Sequence, residues 1–356
     1  MTYRIGPASL ETLILPLCEA TESLVRLDET IGCSPIKEGW VARMHFHDVV
    51  AAMALEGELV HLEELVLHDS LHDVRTPTLE ITRAHSILRT RRRIAAQPAD
   101  WALRPNGLST LVMRDIQSVA DITGVATAFP EHTIDNQLRE IDAIIARSSK
   151  MLQNVDIGMK AAVTQDTPAL FHGTHTEPER LQQWLSVAAD SAGLPTLLRA
   201  ALLFDVWHEI DVLPRKGWVG SLLVGAYLRH GGMSQHHLPL VDYGTRLITR
   251  PQRQTEGRDR RLVAFLTAIR LGALSALKEH DRLISAREHL VRRMSRYRRS
   301  AYTDDFIQLA ISSPAITTGA VQARLGLSKQ GALNLISHAG LREITGRNRY
   351  RMWSLA

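Results

Sequence analysis

The run Ser328-Lys329-Gln330, followed at helical spacing by Asn334 and His338, gathers side chains that can hydrogen-bond the edges of nucleic-acid bases. Gln330 and Asn334 each carry an amide donor and acceptor, which pair with an adenine edge, and Lys329 suits a guanine edge or a phosphate. Further on, Arg347, Asn348 and Arg349 follow Gly346 in a turn, where arginines suit phosphate or minor-groove contact. Upstream, RLISAREHLVRRMSRYRR (282–299) supplies Arg292, Arg293, Arg296, Arg298 and Arg299 as candidate phosphate contacts. A solvated connecting helix is the competing reading of that stretch, and a helix-end cap is the competing reading of His338.

These side chains need elements to aim them, and the sequence predicts such elements. Residues 303–312 have a capping threonine and an apolar face of Phe306, Leu309 and Ala310, and Pro314 ends that helix. A helix starting near Thr317 or Thr318 turns Val321 and Leu325 inward and puts Thr318 at its head, among the candidate contacts. Gly326 supplies a tight turn and Ser328 an N-cap for the next helix. In that helix Ala332, Leu335, Ile336 and Ala339 share one face, so Lys329, Gln330, Asn334 and His338 point outward. Two short helices joined through a glycine turn are the helix-turn-helix pattern. LREITGRNRYRMWSL after Gly340 reads as a β-hairpin, the wing of a winged module. Such a module reads double-stranded DNA with its second helix and wing; protein packing is the alternative use.

Charge supports the first use. Residues 240–356 hold 21 Lys and Arg against 9 Asp and Glu, a net +12, and residues 1–239 hold 21 against 29, a net −8. A basic end on an acidic body suits a polyanion partner. Apolar residues make up 45% of the 356, enough for a sizeable core. No stretch of about 20 apolar residues occurs, so no membrane span is expected. The opening residues lack a basic region ahead of an apolar run, and the cysteines are only Cys18 and Cys33. The expectation is a cytoplasmic protein with reduced thiols.

Helical periodicity dominates the rest of the chain. Helices are expected over 19–30, 37–57, 59–69, from Pro77 to about Gln97, and over 179–192, 196–209 and 218–230, with 165–178 as a surface loop and 251–259 as a linker. The resulting plan is mainly α: an N-terminal helical region (1–100), a helical core (101–250), basic linker helices (251–300) and the winged helix-turn-helix domain (301–356). Arg89 and Arg91 to Arg93 close a helix, where cations complement the helix dipole. His61, His68 and His72 fall on about one face, but no tight ligand set accompanies them; neither a metal nor a cofactor is expected. No nucleophile-elbow, P-loop or dinucleotide fingerprint occurs.

Two segments of the body resemble the Fic (filamentation induced by cAMP) family. VVAAMALEGELVHLEELV resembles the family's inhibitory helix: Glu56-Gly57 fit, while Ala52 stands where Ser or Thr is expected. LPTLLRAALLFDVWHEIDVLPRKGWVGSLLVGAYLR resembles the stretch through the active-site loop. The active-site motif itself is not kept. Ile210 falls at the catalytic histidine, with His208 two residues early. Lys216 replaces Asn, Gly217 matches one glycine, and Trp218 replaces the phosphate-binding Arg. Arg215, Lys216 and Gly217 are left as a remnant anion loop without a base in register. The resemblance implies a Fic-like, non-catalytic body that serves homodimerisation or senses a small-molecule ligand. The alternatives are a divergent Fic-type nucleotidyl (AMP) transferase acting on a protein, or a plasmid-maintenance protein whose winged domain binds protein. The whole chain also resembles a family of rhizobia and their relatives, often plasmid-borne, with a domain of unknown function ahead of a helix-turn-helix.

Overall fold

The computed structural model describes residues 6–70, 76–113, 176–214, 216–295, 302–345 and 351–355. The chain divides into two units, 1–112 with 176–356, and 113–175; of the second only Met113 is described.

Helix α1 (Pro7–Gly32) begins on a proline, whose fixed φ suits a helix start. It buries Leu13, Ala20, Leu24, Leu27 and Ile31, close to a seven-residue repeat. Four helices follow: α2 (Lys37–Leu55), α3 (Leu62–Asp69), α4 (Leu79–Ala96) and α5 (Pro105–Met113). Beyond residue 175 come α6 (Glu177–Asp190), α7 (Thr196–Glu209), α8 (Gly217–His230), α9 (Val241–Leu247) and α10 (Arg250–Arg253). The expected linker at 251–259 is corrected here: its first residues belong to α10, where Gln252 Oε1 accepts from the Thr249 N–H, and its last two open the next helix. Proline and glycine in that stretch punctuate helices.

Helix α11 (Arg258–Met294) runs 37 residues without a break, about 55 Å at 1.5 Å per residue. Leu262, Ile269, Ala276, Leu283 and Leu290 are buried at strict seven-residue spacing, and Leu266, Ala273, His280 and Met294 lie on a second such row. This is the seam of a coiled-coil helix. Its partner is α1, running in the same direction: Ser9 Oγ donates to Asp259 at 2.8 Å, Glu19 pairs with Arg270 at 3.6 Å, and Ser34 Oγ meets His280 Nε2 at 2.9 Å. Helix α9 crosses α11 where two glycines face each other. A Cβ on Gly272 would lie 2.9 Å from Gly244 Cα, and one on Gly244 would lie 2.3 Å from the Ala268 carbonyl oxygen.

Two apolar clusters result. One joins α1, α2, α4, α7 and α8 with the first half of α11. The other takes the end of α1, the start of α2 and the second half of α11, and continues into the C-terminal module. Arg91 of α4 is buried among the first group. It sits on the helix's apolar stripe with Ile87, Leu88 and Ile94, so its role is not the helix-end complement expected from sequence. Its Nη1 donates to Asp48 at 2.6 Å, Nε to His45 Nδ1 at 3.1 Å, and Nη2 to the Leu238 and Pro239 carbonyls at 2.8 and 3.1 Å. Arg92 stays nearer the surface in a two-pronged pair with Asp69, which also meets His85 at 3.3 Å.

Arg91→Ala leaves the Asp48 carboxylate buried without its partner and is expected to lower unfolding free energy by about 3–5 kcal/mol. Arg92→Ala is expected to cost at most about 1 kcal/mol. Urea titration of both variants checks the contrast. Burial raises the Asp69 carboxyl, but hydrogen bonds from His85 and Arg92 outweigh it and hold it at about 2. A depressed acid contributes stability above its unfolded value near pH 4 and loses it as pH falls toward 2. Asp69→Asn is therefore expected to flatten the acid limb of the stability profile between about pH 4 and 2.

Candidate nucleic-acid interface

The C-terminal module is built as α12 (Tyr302–Ser312), β1 (Ile316–Thr317), α13 (Thr318–Leu325), α14 (Lys329–Ala339), β2 (Arg342–Glu343) and β3 (Met352–Ser354). Phe306, Ile307, Ala310, Val321, Leu325, Ala332, Leu335 and Ile336 close its core. Thr317 caps α13 by accepting from Ala320 N at 3.0 Å. Gly326 ends α13 at φ 64°, in the left-handed region where a β-carbon is strained. Ser328 caps α14, its hydroxyl accepting from Gly331 N at 3.2 Å. The sequence signals at 326 and 328 thus act as expected.

The sheet holds one strand more than the expected hairpin. β3 pairs antiparallel with β2, Arg342 opposite Ser354, and on its other edge with β1, Ile316 opposite Trp353. β1 has only two residues between Pro314 and a helix cap, too short for an alternation signal. Its cue is the β-branched pair Ile316-Thr317. The connection carrying Arg347, Asn348 and Arg349 lies outside the described residues, as do Arg215, Arg296, Arg298 and Arg299.

Lys329, Gln330, Asn334 and His338 are exposed on α14, together with the cap Ser328, and Thr318 is half-buried at the head of α13. Gln330 Nε2 donates to Asn334 Oδ1 at 3.0 Å, so the two amides form one unit that still offers an acceptor on Gln330 and a donor on Asn334. His338 Nδ1 lies 2.7 Å from the Asn334 carbonyl oxygen, bonded back to its own helix. No Asp or Glu occurs from 306 to 342. Arg342 on β2 and Arg351 just ahead of β3 are exposed, Arg351 beside Glu343 at 3.2 Å. Neither was among the sequence candidates, because an arginine in a strand of unknown register has no predictable facing. Arg292 and Arg293 are both exposed at the end of α11. The Arg293 guanidinium lies against the C-terminal end of α14, so close that a Cβ on Gly340 would come within 2.4 Å of it. A cation there complements the helix dipole.

The module is held by the body. Arg43 of α2, only 2% exposed, donates to the carbonyls of Ala310, Ile311 and Ser313 at the end of α12. These are acceptors that a helix end leaves open. Ile311 packs on Gly39, where a Cβ would lie 2.7 Å from its Cγ2.

The other candidate residues lie at the start of α8. Glu56, at the end of α2, accepts from Trp218 N at 3.4 Å and pairs with Arg83, which also pairs with Glu58. Burial pushes the Glu56 carboxyl above its ordinary value against the pull of Arg83. Gly217 faces the same carboxylate, 3.5 Å from where its Cβ would be, and Lys216 Nζ donates to the Val112 carbonyl at 3.0 Å. His208 is exposed, with Nδ1 2.9 Å from the Phe204 carbonyl oxygen. Among the described residues no group of three His, Cys, Asp or Glu could hold a metal, and no helix is long and apolar enough to cross a membrane.

Residues 304–356 match a family model described as an HTH DNA binding domain, and residues 170–295 match one described as a protein of unknown function (DUF1612). Fold and match together define a mainly helical protein with a C-terminal helix-turn-helix DNA-binding domain. The chain belongs to the family of y4cF, an uncharacterized protein of Sinorhizobium fredii (strain NBRC 101917 / NGR234), with which it is 36% identical over 379 residues, covering the whole of both. A solved structure, that of a Fic family protein from Desulfovibrio desulfuricans G20, aligns over 99% of this chain and 97% of its own, with a TM-score of 0.48 and 13% identity.

Ser328→Ala removes the α14 cap and is expected to lower stability by about 1 kcal/mol. Gly326→Ala forces a β-carbon into the left-handed region, at about 1–2 kcal/mol. Both are read as shifts of the denaturation midpoint at unchanged slope.

Proposed function

We propose that this protein is a transcriptional regulator that binds double-stranded DNA, with residues 301–356 as the DNA-binding domain and α14 in the major groove. The observation that carries the reading is the exposed row Lys329, Gln330 and Asn334 on a capped second helix that itself carries no carboxylate. The joined amides of Gln330 and Asn334 match the donor and acceptor of an adenine edge, and Lys329 suits guanine or phosphate. Phosphates are met by Ser328 and Thr318 at the helix starts, by Arg292, and by Arg347 and Arg349. His338, bonded back to Asn334, serves as a helix-end group in this reading.

The protein acts as a homodimer in the cytoplasm, since paired half-sites supply the affinity that one small module lacks. Its body is a non-catalytic, Fic-like scaffold. In support, Ile210 occupies the position of the catalytic base, His208 is bonded to its own helix, and Glu56 occupies the backbone N–H group at the start of α8 that an anion would use.

The test is binding to labelled genomic fragments at two salt concentrations, comparing the wild-type chain with Lys329→Ala/Asn334→Ala. Selective retention of certain fragments at the higher salt is expected. The double variant should lose roughly 10- to 100-fold of that preference while keeping its fold. Uniform binding that vanishes with salt, or a double variant as selective as the wild type, overturns the reading.

A further inference from the structure

A cavity of about 200 Å³ lies where the winged module meets the body. The body contributes Arg43 and His47 of α2, Glu63 of α3, and Glu279 and Arg282 of α11; the module contributes the residues leading into β1, Ile344 after β2, and Ser354 of β3. Among the described residues few buried side-chain polar atoms lack a partner, and one of them, on His47, belongs to a residue that lines this space. Arg43 binds three carbonyls through Nε and Nη2, and its Nη1 makes no hydrogen bond. His47 Nε2 is shut away from solvent without a partner. Burial lowers the pKa of this imidazole, as do the cations of Arg43 and Arg282, with Glu279 pulling the other way. His47 is therefore neutral and able to accept or donate one hydrogen bond. Arg282 and Glu279 hold each other through two bonds of 2.8 Å. Glu63, half-buried, has no partner.

A polar group shut away from water and left unmatched is costly, and a ligand that matches it gains that difference. The charges here are of both signs. A simple anion would find Arg43 but face Glu63 and Glu279, and a simple cation would find Glu63 but face Arg43 and Arg282. Only a ligand with both charges satisfies both walls. At about 30 Å³ per water of liquid volume, the cavity takes the equivalent of roughly seven waters. We propose that this cavity binds a small zwitterion of amino-acid size, its carboxylate on Arg43 Nη1 and His47 and its ammonium on Glu63. Because the walls come from both body and module, occupancy biases how firmly the reading helix is held. This last consequence rests on the DNA-binding reading, whereas ligand binding itself does not.

The experiment is a thermal-shift titration of the full chain with each free proteinogenic amino acid and with glycine betaine at millimolar concentration. Acetate, propionate and methylamine serve as single-charge controls. At least one zwitterion is expected to raise the melting temperature while the controls do not. Glu63→Gln and His47→Leu, each melting as the unliganded wild type does, should weaken that zwitterion's binding tenfold or more. If no zwitterion stabilises the chain, or if both variants respond as the wild type does, the proposal is overturned. The stabilising zwitterion should then change affinity for the selected DNA fragments at least threefold. A chain that binds the zwitterion but no specific DNA keeps the ligand site and discards the regulator reading; a chain that reads DNA but binds no zwitterion does the reverse.

Discussion

A guanidinium in the middle of an apolar core governs how this fold is assembled. Removing Arg91 from water costs several kcal/mol unless its donors are matched, and each match comes from a different part of the chain: Asp48 and His45 from α2, and the Leu238 and Pro239 carbonyls from the turn ahead of α9. The second oxygen of Asp48 accepts from Tyr243 N at 2.9 Å, which fixes α9 as well. Beside it, burial and the neighbouring Asp48 charge raise the Asp242 carboxyl well above its ordinary value. Asp242 accepts from Ser221 of α8 at 2.6 Å. The helices around this centre have little freedom to slide without breaking a buried pair.

The second constraint is the length of α11. Its first turns belong to the core that Arg91 organises, and its last turns, through Leu283, Leu290 and Met294, belong to the core of the winged module. A continuous helix carries position from one to the other. Arg43 adds a second tie by closing the carbonyl end of α12 from the body side. Helix α14 is thus mounted on the body, and the cavity at the seam is the place where the mounting is incompletely matched.

Much of this was legible in the sequence. Helices were readable from apolar spacing, and the helix-turn-helix from two residues with specific local jobs, Gly326 and Ser328. What escaped had physical reasons. Two-residue β1 is specified by its partner β3 and not by its own pattern. The prolines and glycines of 251–259 mark helix ends, and sequence alone does not separate a boundary within a folded unit from a boundary between units. Arg91 was read with its arginine neighbours, though its spacing from Ile87, Leu88 and Ile94 put it on the buried stripe. A charged residue on an apolar stripe is a sign of a buried pair. The matching of Arg43 to α12, some 270 residues away in sequence, carries no local signal. The amides of Gln330 and Asn334 were readable as outward-facing, but not as bonded to each other.

The parallel pairing of α1 with α11 sets the order in which the chain can fold during synthesis. The apolar row of Leu13, Leu24, Leu27 and Ile31 is covered by residues about 250 positions later. At translation rates of about 5–20 residues per second, that row stays uncovered for roughly 12 to 50 seconds. Contacts of such sequence separation form slowly even in a released chain. A nascent chain interrupted before α11 therefore exposes a long apolar helix face. Until α11 is made that face is open to aggregation and chaperone binding, so the winged module is completed only after the body beneath it.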